Sequence, residues 1–124
     1  SDGRVPVFDG KRILAVEDEP LVAMLLEEML FDLGCEVVGP AFSIEQATRL
    51  AESETLDAAI LDVNVNGTMS HSVAEILRAR GVPYAFATGY GASPELGGGE
   101  DVPILQKPYP AEKLELLLQQ LLPN

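Results

Sequence analysis

The chain contains a single cysteine and little positive charge. Cys35 has no second cysteine with which to form an internal disulfide or a zinc cluster, so the sequence excludes both and allows a reducing compartment. Eight Lys and Arg stand against twenty Asp and Glu, for a net charge of -12. This balance would repel a phosphate backbone and predicts no direct nucleic-acid binding. The negative charge has two further explanations: it only keeps the protein soluble, or it reflects carboxylates that surround a cation.

Long apolar runs are also missing. No stretch reaches the roughly 20 residues needed to span a bilayer, and the N-terminus lacks the layout of a signal peptide. We therefore predict a cytoplasmic protein that does not act at a membrane. The 124 residues, 47% of them hydrophobic, suit one folded domain. We predict an N-terminal lead-in at residues 1–11 and one domain at residues 12–122.

Short apolar segments alternate with amphipathic segments along this domain. The predicted strands are residues 12–16, 35–39, 57–63, 83–88 and 102–106, and the predicted helices are residues 20–33, 43–53, 70–80 and 110–122, with a turn at 64–68. Another helix belongs at residues 92–101, but three consecutive glycines, each costing about 1 kcal/mol in a helix, predict that it is weak or short. The alternation predicts an α/β fold with a doubly wound, five-stranded parallel sheet.

The first predicted helix has clear limits and an apolar stripe. Pro20 suits its first turn, and Gly34 marks its end. Five apolar residues fall at helical spacing, and we predict that they form the buried face of this helix. They are Val22, Leu25, Leu26, Met29 and Leu33.

Chemically active side chains stand at the carboxyl ends of the predicted strands. Glu17 and Asp18 follow the first strand, Asp62 lies near the end of the third, Thr88 ends the fourth and Lys107 follows the fifth. Ligands of doubly wound sheets collect at this edge. Neighbouring carboxylates repel one another unless a cation relieves them, and Mg2+ prefers oxygen ligands. The sequence therefore predicts a Mg2+ site.

The same residues suit the transfer of a phosphoryl group onto a carboxylate. Asp62 would be the nucleophile, and Mg2+ and Lys107 would balance the charge on the transferring oxygens. Thr88 would hydrogen-bond the new phosphoryl group. A single acid after a strand is more often a helix cap, so the prediction depends on the whole set occurring at successive strand ends.

The chain resembles the receiver domain of two-component response regulators over about residues 12–122. The resemblance is carried by "VEDEP", "ILDV", "FAT" and "QKP", each at its expected strand end. It implies the flavodoxin-like (βα)5 receiver fold, with Glu17 and Asp18 as the acidic pair that holds Mg2+. It also implies that Asp62 is the phosphoacceptor and binds the metal, and that Asn64 supplies a backbone carbonyl ligand. Thr88 is the implied switch hydroxyl, and Lys107 is the implied active-site lysine.

The chain also departs from the common receiver pattern. Asn66 stands where a proline is expected after the phosphoacceptor, Gly67 comes early, and Ile104 replaces the switch aromatic three positions before the lysine. The stretch "FATGYG" at 86–91 resembles the signature of the FATGUY receivers of alphaproteobacteria, in which such departures are usual. Tyr90 is then a candidate switch residue, although packing on the sheet edge would explain it equally well.

The resemblance implies a phosphoacceptor in a two-component phosphorelay that signals by a conformational change in residues 88–101. Such a protein is no enzyme beyond Mg2+-dependent self-phosphorylation and self-dephosphorylation. The implied partners are a histidine kinase or histidine phosphotransfer protein and a downstream regulator, with the general stress response as a plausible pathway. The chain ends two residues after the last predicted helix, so we expect no output domain. A stand-alone regulator and a receiver fragment of a hybrid histidine kinase both remain open.

Two other functions are open to the same fold. A receiver-like interaction module that does not accept phosphate is disfavoured by the presence of Asp62 and Lys107. A flavodoxin-like cofactor binder would need a glycine- and hydroxyl-rich phosphate loop after the first strand. The residues "EDEP" offer negative charge at that place, which disfavours this alternative as well.

Overall fold

The computed structural model describes residues 8–89 and 102–123 as one sheet with helices packed on it. The strands are β1 (Arg12–Val16), β2 (Glu36–Ala41), β3 (Ala58–Asp62), β4 (Asn64–Val65), β5 (Thr68–Met69), β6 (Tyr84–Thr88) and β7 (Ile104–Gln106). The helices are α1 (Pro20–Asp32), α2 (Ile44–Ser53), α3 (His71–Ala79) and α4 (Ala111–Leu121). The predicted short helix at 92–101 lies outside the described residues.

The main sheet has five parallel strands in the order β2-β1-β3-β6-β7, which confirms the predicted fold class. One face packs against α2 and α3 and the other against α1 and α4, so the central strands are buried on both sides. This explains why β3 and β6 read as continuous apolar runs instead of alternating patterns. Within the described residues, every helix is too short or too polar to cross a membrane.

Strand β2 runs two residues further than predicted, from Glu36 to Ala41. The sequence suggested an end at Gly39 and Pro40, but β2 lies at the edge of the sheet, where these residues are tolerated. Gly39 has a φ of +97, and a Cβ there would meet the backbone nitrogen of Ala41 at 2.7 Å. The extension matters for the site because the carbonyl of Ala41 accepts a hydrogen bond from the backbone N–H of Glu17.

The buried face of α1 differs from the predicted stripe. The residues that this helix buries are Ala23, Leu26 and Leu30, whereas Leu25 is 49% exposed. Apolar residues surround much of the helix, so several stripes satisfy the 3.6-residue period. Packing against the sheet selects the stripe that contains the small Ala23, which the periodicity alone does not single out.

The predicted turn at 64–68 is a small antiparallel hairpin formed by β4 and β5. Asn66 and Gly67 occupy its two central positions with φ values of +53 and +84. Positive φ at both positions characterises a type I′ turn, for which Asn-Gly is a favoured pair. Only Val63 separates the hairpin from Asp62, the predicted phosphoacceptor.

Candidate functional site

Three carboxylates meet at the carboxyl edge of the sheet. Glu17 and Asp18 follow β1, and Asp62 ends the neighbouring strand β3. Each of the three offers an oxygen atom, and these atoms all lie within 4.8 Å of one another. Glu17 and Asp62 are only 2% and 5% exposed. The sheet therefore brings together the carboxylates that the sequence placed at separate strand ends.

Lys107 supplies positive charge to this cluster. Its Nζ lies 3.0 Å from Oε1 of Glu17 and 3.4 Å from Oδ1 of Asp62. The backbone N–H of Lys107 donates to the carbonyl of Thr88 at 2.8 Å, which extends the pairing of β6 with β7 and fixes the start of the side chain. Burial lowers the pKa of Lys107, but its hydrogen bond to Glu17 and the charge of Asp62 outweigh burial and raise that pKa overall. The lysine is therefore charged at neutral pH.

The Asp62 carboxyl has a raised pKa. Burial and the negative charge of Glu17 raise its pKa to about 7, despite the opposing effect of Lys107. One ammonium group thus compensates the neighbouring carboxylates only in part. A divalent cation would relieve the remaining repulsion, and the hard oxygen donors of Glu17, Asp18 and Asp62 fit Mg2+.

Glu17 is held through both of its carboxylate oxygens. Oε1 pairs with Lys107, and Oε2 accepts the backbone N–H of Glu19 at 3.0 Å. Its own backbone N–H donates to the carbonyl of Ala41 at 2.9 Å. These bonds orient the longest acidic side chain of the site and satisfy its buried charge.

Asp18 is held from the other side, by the hairpin. Its Oδ2 accepts the backbone N–H of Asn66 at 2.8 Å. Burial raises the pKa of the Asp18 carboxyl, but this bond and the hydrogen bonds with Asp62 and Glu17 lower it overall. From the sequence alone, Asn66 is only a departure from the proline of common receivers. Its role at the site depends on a contact across 48 residues, which no local pattern reveals.

The remaining predicted site residues lie around this cluster. Thr88 is buried at the end of β6, one residue beyond Ala87, which pairs with Asp62. Asn64 begins β4, and its side-chain oxygen accepts the backbone N–H of Gly67 at 2.8 Å. Tyr90 lies outside the described residues, so its switch role stays a prediction.

Tyr109 was not singled out by the sequence analysis, although it stands only two residues after Lys107. It is half-buried and packs on the core shared by α1 and α4. Burial, together with the negative charges of Glu17 and Asp62, raises the pKa of its phenol. The Tyr109 side chain is therefore a neutral neighbour that experiences the field of the acidic cluster.

Comparison with known proteins identifies the family. The model of the response regulator receiver domain matches residues 13–119. The chain belongs to this family. The predicted membership of the receiver family is therefore confirmed, whereas the assignment to the FATGUY subgroup stays a prediction.

Similar receivers come from several bacteria. The solution structure of SdrG from Sphingomonas melonis is 42% identical, with a TM-score of 0.79, over 90% of this chain and 96% of that chain. SdrG has also been solved in a BeF3-activated conformation. The receiver domain of the sensor histidine kinase PA1611 from Pseudomonas aeruginosa is 30% identical, with a TM-score of 0.80, over 90% of this chain and 97% of that chain. That structure has a magnesium ion coordinated in its active site cleft.

A curated relative is the phyllosphere-induced regulator PhyR of Methylorubrum extorquens. It is 32% identical over an alignment of 117 positions, and the match covers 89% of this chain and 43% of PhyR. The chain spans less than half the length of the curated relatives that it matches. The comparison therefore concerns the receiver part of these longer proteins.

Proposed function

We propose that this receiver accepts a phosphoryl group on Asp62 in a Mg2+-dependent reaction. The observation that carries the proposal is the position of the Asp62 carboxylate, which is buried beside two further carboxylates with Lys107 Nζ at 3.4 Å. The cluster combines a nucleophile, oxygen ligands for a cation and a fixed positive charge. Strongly perturbed pKa values cluster at functional sites, and the raised pKa of Asp62, about 7, supports the proposal alongside this geometry.

The proposed reaction moves one phosphoryl group between two residues. A carboxylate oxygen of Asp62 forms a bond to the phosphorus of a phosphohistidine, and the P–N bond of the donor breaks. The imidazole leaves with the electron pair of that bond and takes up a proton from water. Lys107 balances the negative charge on the transferring oxygens, and Thr88 donates its hydroxyl to the phosphoryl group that results.

The residues that would hold Mg2+ are Glu17, Asp18, Asp62 and, through its backbone carbonyl, Asn64. When bound, the ion would stabilise charge on the phosphoryl oxygens and relieve the repulsion among the carboxylates. The magnesium ion in the PA1611 receiver and the BeF3-activated form of SdrG support this proposal, since both proteins share the receiver fold.

The proposed partners follow from the proposed chemistry. A histidine kinase or a histidine phosphotransfer protein would donate the phosphoryl group, and a downstream regulator would read the change in residues 88–101. Beyond its own phosphorylation and dephosphorylation, we propose no catalytic activity. The "FATGYG" stretch supports membership of the FATGUY subgroup and, through it, a role in the general stress response.

The test is phosphorylation by acetyl phosphate with Mg2+ or with EDTA, read by intact mass. We expect one phosphoryl group on the wild-type chain with Mg2+ only, and none on Asp62→Asn. Asp32→Asn, which changes an exposed aspartate at the end of α1, should be labelled like the wild type. An unlabelled wild type would favour the interaction module that does not accept phosphate, and a labelled Asp62→Asn would assign the phosphoryl group to another residue.

A further inference from the structure

Asn66, four residues after Asp62, stands where common receivers have a proline, and the two residues differ chemically. Proline has no backbone N–H, and its ring holds φ near -65°. Asn66 has a φ of +53 and uses its backbone N–H as a donor to Asp18 Oδ2, at 2.8 Å. A proline could make neither the turn nor this bond. The change to asparagine therefore adds a direct contact to the acidic cluster.

The Asn66 side chain anchors the same turn to a third loop. Its Nδ2 donates to the backbone carbonyl of Phe42 at 2.8 Å, just after β2. The turn is closed from within by the bond from Gly67 N–H to Asn64 Oδ1. The hairpin thus joins the loops that follow β1, β2 and β3 through a single residue.

We propose that Asn66 is a positioning residue for the metal-binding carboxylate Asp18. Its backbone N–H holds Oδ2 and so fixes the Asp18 carboxylate beside those of Glu17 and Asp62, where a cation would bind. Its side chain keeps the hairpin in place by the bond to Phe42. Metal-ligating carboxylates are commonly oriented by such outer partners, whose loss weakens metal binding. This inference rests on the proposed function, because it assumes that Asp18 binds Mg2+.

The first test compares the Mg2+ affinity of two variants by titration calorimetry of the whole chain. Asn66→Pro removes the N–H donor and cannot adopt the positive φ, and we expect its Mg2+ Kd to rise about tenfold or more. Asn66→Gly keeps the donor and the φ but loses the anchor to Phe42, and we expect a rise of less than about threefold. Asp18→Asn should abolish most of the binding and serves as the reference for a lost ligand.

The two possible failures are distinguishable. A wild-type chain that does not bind Mg2+ would overturn the proposed function and, with it, the role of Asn66. If the wild type and a folded Asn66→Pro bind Mg2+ with equal affinity, the inference alone fails. Far-ultraviolet circular dichroism shows whether Asn66→Pro is folded.

A second measurement does not depend on the proline variant. In metal-free protein, we expect Asp18→Asn to shift the backbone 15N–1H resonance of Asn66, because the N–H loses a charged acceptor. The resonance of Gly67, whose acceptor is Asn64, should shift less and serves as the internal control. An Asn66 resonance that shifts no more than that of Gly67 would overturn the inference.

Discussion

The two edges of the sheet each hold a cluster of charges, but the clusters differ in balance and burial. At the amino edge, Arg12 donates to the carboxylates of Glu36 and Glu54 and to the carbonyl of Thr55. Its backbone N–H also donates to Asp57. At the carboxyl edge, Lys107 meets the buried carboxylates of Glu17 and Asp62, with Asp18 beside them.

This difference separates a charge cluster that joins elements of secondary structure from the cluster at which we propose phosphoryl transfer. The carboxylates around Arg12 are open to water, with Glu36 60% and Glu54 38% exposed, so water screens them and each is paired. The carboxyl-edge cluster has an excess of like charge, and two of its carboxylates, Glu17 and Asp62, are buried. Burial and that excess raise the pKa of Asp62, and a bound cation would relieve the repulsion.

The largest expected effect comes from removing the ammonium group at the carboxyl edge. We expect Lys107→Met to slow labelling by acetyl phosphate about 100-fold or more, because the transferring oxygens lose a fixed positive charge. Lys113→Met, in the exposed part of α4, should keep the wild-type rate. A loss of less than about threefold in folded Lys107→Met would mean that the metal alone balances the charge.

The pH dependence of stability should distinguish the two edges in metal-free protein. The pKa of Asp62 is about 7 in the folded chain against an ordinary value of 3.8, so between these values the folded state binds more protons than the unfolded state. The contribution of this group to the free energy of unfolding is complete below about pH 4 and is lost as the pH rises through about 7. The loss is on the order of a few kcal/mol.

Asp62→Asn should remove most of this pH dependence. In EDTA, the free energy of unfolding of Asp62→Asn should therefore exceed that of the wild type by more at pH 8 than at pH 5. Urea unfolding at both pH values measures the difference. Added Mg2+ should restore stability to the wild type at pH 8, because the ion favours the charged carboxylates. Parallel pH profiles for the two proteins would show that Asp62 ionises without cost.

The smallest expected effect is at the amino edge. We expect Arg12→Met to lower the free energy of unfolding by about 1–2 kcal/mol, since hydrogen bonds to charged partners are lost from a partly exposed site. The labelling rate should stay within about twofold of the wild-type rate, because the change lies at the opposite edge from Asp62. A large loss of labelling in a folded Arg12→Met would contradict the division between a structural edge and a chemical edge.

Local patterns predicted most of the fold and the chemical groups of the site. The five strands and their carboxyl-end residues followed from apolar runs and from the residues after them, and the helix predicted to start at residue 43 is α2, where the Ser43 hydroxyl caps the helix by accepting the N–H of Gln46. The errors lie where tertiary context overrides a local rule. Strand β2 continues through Gly39 and Pro40 because it is an edge strand, and the face of α1 depends on which stripe packs on the sheet.

The sequence by itself determined which groups stand at each strand end, because strand limits, caps and turns depend on neighbouring residues. It also contained the Asn-Gly pair that makes the type I′ hairpin. Tertiary structure decided how these groups meet. Lys107 lies closer to Glu17, 90 residues away, than to Asp62, and Asn66 bonds to Asp18 across 48 residues. Such distances, and the burial that raises the pKa of Asp62, exist only once the parallel strands have assembled.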